Sequence, residues 1–376
     1  METGKQGAPS MERKIRFIIV GSGWRSLYYV RIAKALKDRF ELCALLCRTK
    51  EKADRFKVQY DVPATTSIEE CVALSPDFVV IAVDKAHLAA VSIEWMERGF
   101  PVLSETPAAM DIETLNTLWS YHQKGHKLIV NEQYLRYPSN NARNRLLSKD
   151  LLGRRDYLYL SLAHEYHGSS LLRNFLVIPC GTPFTISAKM FSFNTRETLS
   201  RYEHFSDQRT AFKNRSLALF EFEDDKVCLY DFDSEQYRLP IRSSSLKLQG
   251  EKGELVNDTL SYLDDQNDSH TISLIKESHI ITNDDPNPNL NHFEEIVSIK
   301  AKDELLYEPP FGLCGLSEDE TAMALMMEKM YCYVTGSGEE PYPLKEALED
   351  AYMAILLRKA IETNETITSE TMVWHK

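Results

Sequence analysis

The sequence lacks the features that mark membrane proteins, nucleic-acid-binding proteins and exported proteins. Its 376 residues contain no run of about eighteen consecutive apolar residues, which a membrane-spanning helix needs. The 44 Lys and Arg are outnumbered by 56 Asp and Glu, and the net charge of -12 does not suit a phosphate backbone. The first ten residues are polar and lack the apolar stretch of a signal peptide. We expect no membrane and no nucleic-acid partner, and we expect residues 1–11 to form a disordered lead-in.

Cysteines are few, and none of them forms a CxxC pair. The seven are Cys43, Cys47, Cys71, Cys180, Cys228, Cys314 and Cys332. An odd number of scattered cysteines indicates reduced thiols, so we expect a cytoplasmic location. The chain also lacks internal repeats and low-complexity tracts. Its length and its 43% hydrophobic content are sufficient for two domains with cores of their own.

Short apolar strands alternate with helical patterns in the first third of the chain. A β-branched run from Arg16 to Val20 ends at Gly21-Ser22-Gly23, and apolar residues then recur at helical spacing from Leu27 to Leu36. The same pattern predicts further strands at 42–47, 78–83, 102–104 and 127–130, with helices at 87–98 and 112–122. Strands that are apolar on both faces are typical of a parallel sheet covered by helices. We predict an α/β fold, with a doubly wound (Rossmann) parallel sheet that binds a dinucleotide over residues 12–131.

The pattern changes over residues 132–376. Alternating polarity over 157–163, 184–194, 216–223 and 226–233 indicates antiparallel strands, and Asp/Asn/Pro-rich segments at 263–270 and 283–289 indicate solvated loops. Ser317 and Glu320 form a capping box that begins the first of two closing helices, near 317–335 and 344–363. Met326, Met327 and Met330 lie at helical spacing and indicate core packing. We predict a C-terminal α+β domain with a largely antiparallel open sheet.

The glycine turn is the candidate phosphate site. A strand that enters a helix through glycines presents backbone N–H groups and a helix N-terminus to a pyrophosphate. Gly21 permits the tight turn, Gly23 permits close approach of the backbone, and the small Ser26 occupies the third position of the motif. Ser22 belongs to the turn, and Trp24 and Arg25 lie at its mouth, where Arg25 could contact a phosphate. The alternative is a structural turn in a domain that has lost its ligand.

The end of the second strand bears on the choice of nicotinamide cofactor. An acidic residue there bonds the ribose of NAD, whereas a basic residue accommodates the extra phosphate of NADP. The chain has Arg48 and Thr49, followed by Lys50 and Lys52, and no carboxylate precedes Glu51. We therefore predict that NADP(H) is preferred and that NAD(H) is possible. The alternative is a solvated arginine at the start of a helix.

The order of these motifs resembles that of the Gfo/Idh/MocA family, which includes glucose-fructose oxidoreductase and inositol dehydrogenase. The segments that carry the resemblance are Gly21-Ser22-Gly23, Val79 to Val83, Val102-Leu103-Ser104-Glu105-Thr106-Pro107, Gln133 to Pro138, Gly250 to Glu254 and Tyr342-Pro343-Leu344. They cover nearly the whole chain from residue 14. Thr106 stands where the family usually has the lysine of Glu-Lys-Pro.

The resemblance implies roles for further residues. The family has an Asp-x-x-x-His pair at the start of a helix in its second domain, and here His167 occupies the histidine position while Ala163 replaces the aspartate. His167 is thus the expected proton carrier, and Thr106, Tyr134 and His164 are expected to face the substrate. The cofactor is expected to lie along the glycine turn and these further residues: Val83, Asp84, His87, Glu105 and Gln133. We expect no metal, because His164-x-x-His167 lacks a third ligand at suitable spacing.

The resemblance implies an NAD(P)-dependent oxidoreductase that acts on a sugar, polyol or related carbonyl compound between two domains. Two alternatives stay open, of which the missing lysine and aspartate favour the first and weaken the second. One is a non-catalytic NAD(P)-binding regulator or sensor. The other is a glycosidase that holds its nicotinamide tightly through a transient redox cycle. In either case the resemblance implies a homo-oligomer, a dimer or tetramer that forms through the open sheets.

Overall fold

A computed structural model describes residues 13–285 and 290–376. The lead-in predicted for residues 1–11, and residues 286–289 of the second predicted loop, lie outside the described residues. No helix in the described part of the chain is long and apolar enough to cross a membrane.

The N-terminal sheet is parallel, as predicted, and it has six strands, one more than the five predicted. Its strands are β1 (Ile15–Val20), β2 (Phe40–Leu46), β3 (Ala64–Thr65), β4 (Phe78–Ile81), β5 (Val102–Ser104) and β6 (Leu128–Val130), in the order β3-β2-β1-β4-β5-β6. The helices that cover it are α1 (Trp24–Ala35), α2 (Lys50–Tyr60), α3 (Ile68–Ala73), α4 (Leu88–Glu97) and α5 (Ile112–Gln123). This strand order is the Rossmann order, and the winding reverses between β1 and β4.

The C-terminal sheet has eleven strands and is mostly antiparallel. A 3-10 turn (Tyr134–Arg136) and α6 (Pro138–Leu147) lead into β7 (Arg155–Ser161) and α7 (Glu165–Leu176). The strands that follow are β8 (Phe184–Arg196), β9 (Thr210–Phe222), β10 (Val227–Asp233), β11 (Ser245–Gly250), β12 (Gly253–Val256), β13 (Thr259–Leu263), β14 (Ser269–Thr282), β15 (His292–Ala301) and β16 (Glu304–Tyr307). The chain then forms α8 (Glu318–Thr335), α9 (Leu344–Thr363), β17 (Ile367–Thr368) and a 3-10 turn (Val373–His375). The strand order is β16-β15-β14-β13-β12-β11-β7-β10-β9-β8-β17, and β7 pairs with β10 in parallel.

Two predicted boundaries in this part of the chain were wrong. Strand β9 begins at Thr210, six residues before the predicted start, because it pairs with β8 along its whole length. The loop predicted for 263–270 shrinks to the turn between β13 and β14. The Asp264 carboxylate accepts hydrogen bonds from the backbone N–H groups of Gln266 (2.9 Å) and Asp268 (3.0 Å), so the turn closes tightly and the strands extend to either side of it.

The closing helices return to the N-terminal sheet. Helix α8 packs on α1, and its side chains Met323, Met326, Met327 and Met330 are buried in one core with Phe17 and Ile19 of β1. The predicted packing role of the methionines is thus confirmed. Helix α9 lies on the other side of the sheet, against α5 and α7, in the core that also contains Ile18 and Val20. The alternating side chains of β1 therefore enter two different cores.

Candidate functional site

The glycine turn lies where the winding of the parallel sheet reverses, which is where ligands bind in such sheets. Gly21 has a φ of +120°, and a methyl group added there would lie 2.2 Å from the carbonyl oxygen of Ala82. Only glycine fits this position. The Ser26 hydroxyl donates to the carbonyl oxygen of Gly21 at 3.0 Å, so the serine at the third motif position secures the turn.

The N-terminus of α1 is open. Gly23 is the N-cap residue, no side chain caps the helix, and the first turn has no acidic residue. A methyl group at Gly23 would have no neighbouring atom within 4 Å. Backbone N–H groups at an uncapped helix start, beside vacant space, suit a negatively charged phosphate. These residues therefore fit a dinucleotide.

Arg25 is paired with two carboxylates, a contact that its place in the motif did not indicate. Its Nε lies 3.2 Å from Glu105 Oε2, and its Nη1 lies 2.5 Å from Asp319 Oδ2 in the first turn of α8. Gln133 Nε2 also donates to Asp319, at 3.1 Å. Burial alone would raise the pKa of Asp319, but the Arg25 charge and these hydrogen bonds hold it below its ordinary value. A phosphate at Arg25 would have to compete with both carboxylates.

The end of β2 leaves a cation exposed. Thr49 is the N-cap of α2 and accepts from the backbone N–H of Lys52 at 3.4 Å. Arg48 precedes it and is exposed. Within the described ranges its side chain has no ion-pair or hydrogen-bond partner. Its charge is therefore accessible at the edge of the sheet where a ribose would lie.

The ends of β4 and β5 supply the next predicted cofactor residues. Val83 and Asp84 line the cleft between the two sheets, and Asp84 Oδ1 accepts from the backbone N–H of Ala86 at 3.0 Å. His87 is exposed at the start of α4 and does not line the cleft. Glu105 is buried and accepts hydrogen bonds from the Tyr29 hydroxyl and from Asn131 Nδ2. Of this group, His87 is the residue that stands apart from the cleft.

Thr106, His167 and Glu132 form a hydrogen-bonded series across the cleft wall. Thr106 Oγ1 lies 3.2 Å from His167 Nε2, and His167 Nδ1 lies 2.6 Å from Glu132 Oε2. The other oxygen of Glu132 accepts from the backbone N–H of Tyr134 at 3.1 Å. His167 lies in the first turn of α7, Glu132 follows β6, and Thr106 follows β5. The threonine that replaces the motif lysine thus contacts the histidine directly.

The Glu132–His167 pair favours uncharged groups. Burial raises the pKa of Glu132 to about 8. Burial, together with the Arg25 charge, lowers the pKa of His167 to about 3. Both shifts arise because a buried charge loses its hydration. Both shifts favour the uncharged forms, in which the Glu132 carboxyl donates to Nδ1 of a neutral imidazole and Nε2–H faces Thr106.

The two remaining predicted site residues lie beside this pair. The Tyr134 ring stacks on the His167 ring with centroids 4.2 Å apart. His164 is the N-cap residue of α7, and its Nδ1 lies 3.1 Å from the hydroxyl of Tyr237. The surrounding protein, and then the nearby positive charges, lower the pKa of His164 to about 3. His164 is thus a neutral side chain on the cleft surface.

The four predicted catalytic residues meet in one cleft of about 650 Å³. Its walls come from the start of α1, the ends of β4 and β5, the start of α7, and loops of the C-terminal sheet. The sequence did not predict five further residues of the site: Glu132, Tyr237, Arg201, Arg238 and Asp319. Glu132 alone had a usable signal, since it follows a parallel strand whose carboxyl end must reach the cleft.

Comparison with known proteins agrees with this geometry. Residues 15–133 match the model of the Gfo/Idh/MocA oxidoreductase family with an NAD-binding Rossmann fold. No curated protein sequence matches the chain. Among solved structures, scyllo-inositol dehydrogenase from Lactobacillus casei is 14% identical with a TM-score of 0.63, covering 96% of this chain and 99% of its own.

Two further solved structures hold ligands. The WlbA dehydrogenase from Bordetella pertussis, in complex with NADH and UDP-GlcNAcA, is 16% identical with a TM-score of 0.60 and covers 96% and 99% of the two chains. An oxidoreductase from Agrobacterium radiobacter, in complex with NAD+, L-tartaric acid and magnesium, is 12% identical with a TM-score of 0.64 and covers 94% and 98%. At these identities the likeness establishes the fold. Over residues 15–133 the chain is similar to the NAD-binding Rossmann unit of the Gfo/Idh/MocA oxidoreductase family.

Proposed function

We propose that the protein is an NAD(P)-dependent oxidoreductase that interconverts an alcohol and a carbonyl group on a sugar, polyol or related compound. The observation that carries the proposal is the Glu132–His167–Thr106 series, whose His167 and Thr106 line the same cleft as Trp24 and Arg25 at the start of α1. A bound nicotinamide would supply or accept the electron pair. The similar structures named above include a polyol dehydrogenase and a nucleotide-sugar dehydrogenase, which supports this class of substrate.

His167 would move the proton. In the direction of reduction, the substrate oxygen takes the proton from Nε2, and Nδ1 takes the proton of the Glu132 carboxyl. The products are an alcohol, a neutral imidazole and a Glu132 carboxylate. Oxidation runs the same transfers in reverse. Glu132 acts through His167 and is a positioning and proton-storing residue, whereas His167 contacts the reacting oxygen.

Thr106 can take part without the charge of a lysine. Its hydroxyl lies 3.2 Å from Nε2. With substrate bound, the hydroxyl can donate its hydrogen to the substrate oxygen and hold that oxygen beside Nε2, whose proton is then directed to the substrate. The buried Glu132 carboxyl supplies the second ionisable group that the missing lysine and aspartate would otherwise provide. The loss of the two motif residues is therefore compatible with catalysis.

We propose that NADP(H) is the preferred cofactor. Arg48 is exposed at the end of β2, where the ribose of a dinucleotide lies in this fold. The lysines at positions 50 and 52 add positive charge to the same edge.

We also propose a cytoplasmic location. All seven cysteines are free thiols, which is typical of proteins in a reducing compartment.

We further propose that copies of the protein associate through the open face of the C-terminal sheet. Phe191 and Phe193 on β8 and Leu229 on β10 are 44%, 53% and 37% exposed. Exposed apolar side chains on a sheet indicate a contact surface. Light scattering on the purified protein would give the mass, and a monomer at micromolar concentration would contradict this assignment.

The test begins with a fluorescence titration of cofactor-stripped protein with NADPH and NADH, followed by turnover assays on sugars, polyols and their carbonyl forms. His167→Gln should bind cofactor as the parent does and slow turnover by about 10² to 10⁴-fold, because it loses the proton carrier. His279→Gln, an exposed change on β14, is the matched control and should keep full activity.

Other results of these assays would distinguish the oxidoreductase from the sensor and from the glycosidase. Tight cofactor binding without turnover across the panel would favour the sensor. A nicotinamide that co-purifies and does not dissociate, together with cleavage of glycosides, would favour the glycosidase. Failure to bind either nucleotide would refute the oxidoreductase.

A further inference from the structure

The outer wall of the cleft carries cations that the proton-transfer residues do not use. Arg201 comes from the connection between β8 and β9, Arg238 from the turn after β10, and Lys85 from the loop after β4. The Arg201 guanidinium lies 4.8 Å above the ring of Trp24 at the mouth of the glycine turn. Three separate segments of the chain thus bring positive charge to the outer wall of the cleft.

These cations line one cleft. After burial, the Arg238 charge is the main cause that lowers the pKa of Arg201. The charges of Lys85, Arg201 and Arg238 also contribute to the lowered pKa of His164. His164 is 5.2 Å from His167 between ring centroids. The cations therefore share the cleft with the proton carrier.

The carboxylates of the cleft are mostly engaged elsewhere. Glu105 and Asp319 both pair with Arg25, and Glu165 Oε2 lies 3.2 Å from Arg358 Nη1. Asp84 is the remaining acidic side chain of the lining, and it accepts a backbone hydrogen bond. Arg238 has no ion-pair or hydrogen-bond partner for its side chain among residues 13–285 and 290–376. A cluster of like charges at a cleft mouth costs free energy unless an anion is bound there.

The geometry points to a substrate that carries an anionic group, a carboxylate or a phosphate, held by Arg201 and Arg238 while its hydroxyl or carbonyl oxygen faces His167. This inference rests on the proposed function and narrows its substrate to acidic or phosphorylated sugars and polyols. Paired guanidinium groups bind such oxygens through charge-assisted hydrogen bonds. Lys85, from the loop after β4, adds to the attraction.

The test measures binding by calorimetry at pH 7 and fixed ionic strength, with and without saturating NADPH. The probes are D-glucuronate, D-glucose 6-phosphate and neutral D-glucose, and inorganic phosphate and malonate serve as small anions without a sugar ring. We expect at least one class of anion to bind ten times more tightly than glucose. Whether the carboxylates or the phosphates bind more tightly identifies the anionic group.

Arg238→Gln should remove that advantage, with a tenfold or greater loss of anion affinity, and should leave NADPH affinity as it was. Arg209→Gln is the matched control, because Arg209 lies in the same connection as Arg201 but pairs with Asp207 outside the cleft. Equal affinity for glucose and the anions, or no anion binding, overturns the inference. An equal loss of NADPH affinity in Arg238→Gln also overturns it, since the cation would then serve the cofactor. Anion binding without cofactor binding would instead refute the proposed function alone.

Discussion

Replacement of Glu132 by glutamine should change how the stability of the protein depends on pH. The Glu132 carboxyl is fully buried, and its pKa of about 8 compares with 4.5 for an ordinary glutamate. Between these values the folded protein holds a proton that the unfolded chain has released. The stability that this proton contributes is fully present below pH 4.5 and is lost as the pH rises through 8.

The size of the loss follows from proton linkage. One proton held by the folded state alone changes the free energy of unfolding by about 1.4 kcal/mol per pH unit. From pH 6.5 to pH 8, release of the Glu132 proton should therefore lower the free energy of unfolding of the parent protein by about 1.5 kcal/mol. The value is below that for a full proton over about 1.5 pH units because Glu132 is already half deprotonated at pH 8. His167 acts in the opposite direction by about 0.4 kcal/mol in this interval, because the unfolded histidine still releases its proton above pH 6.5 whereas the folded one is already neutral.

The assay is urea unfolding at pH 6.5 and pH 8 for the parent, Glu132→Gln and Glu362→Gln, an exposed control. Asp350, whose pKa burial raises to about 7, titrates in all three proteins, so the difference between the slopes isolates Glu132. We expect the loss to shrink by about 1.5 kcal/mol in Glu132→Gln alone. An unchanged slope would show that Glu132 holds no extra proton, and the proposed proton storage would fall with it.

Further substitutions test the turn, the cofactor edge and the threonine. Gly21→Ala should destabilise the fold by about 3 kcal/mol or more, measured by urea unfolding, because its methyl meets a carbonyl oxygen at positive φ. Gly23→Ala should keep the stability but weaken cofactor binding about tenfold in a fluorescence titration, since its methyl fills the space beside the start of α1. Arg48→Ala should weaken NADPH about tenfold and leave NADH unchanged, whereas Lys57→Ala, farther along α2, should change neither; equal loss for both nucleotides would contradict the phosphate assignment. Thr106→Val should slow turnover up to about tenfold by removing a single hydrogen bond, and Thr106→Ser should retain most of the rate.

Local patterns predicted most of the fold. The strands of the N-terminal sheet are short and apolar on both faces, and their glycine turn and helices are in the predicted order. The capping box at Ser317 and Glu320 forms at the predicted start of α8. Strand ends were less well predicted, as in β9, because pairing with a distant strand rather than local sequence decides where a strand stops.

The site was predicted less completely because its pairs join distant parts of the chain. Thr106, Tyr134, His164 and His167 do share one cleft, as the family resemblance implies. The partner of His167 is Glu132, 35 residues away, and the partner of Arg25 is Asp319, 294 residues away. No spacing rule within a helix or strand encodes such contacts. Arg25 is the clearest example. Its position beside the glycine turn predicts a phosphate contact, whereas its partners in the structure are the carboxylates of Glu105 and Asp319.

The packing of α8 on β1 and α1 has a consequence for the order of assembly during synthesis. Phe17 and Ile19 emerge from the ribosome about three hundred residues before Met327 and Met330, which complete the core around them. Until then, one side of the nascent nucleotide unit exposes apolar surface to water and to other chains. A fragment that ends near residue 133 would remain in that state permanently. Such a fragment should therefore aggregate when expressed alone, even though it contains the whole parallel sheet.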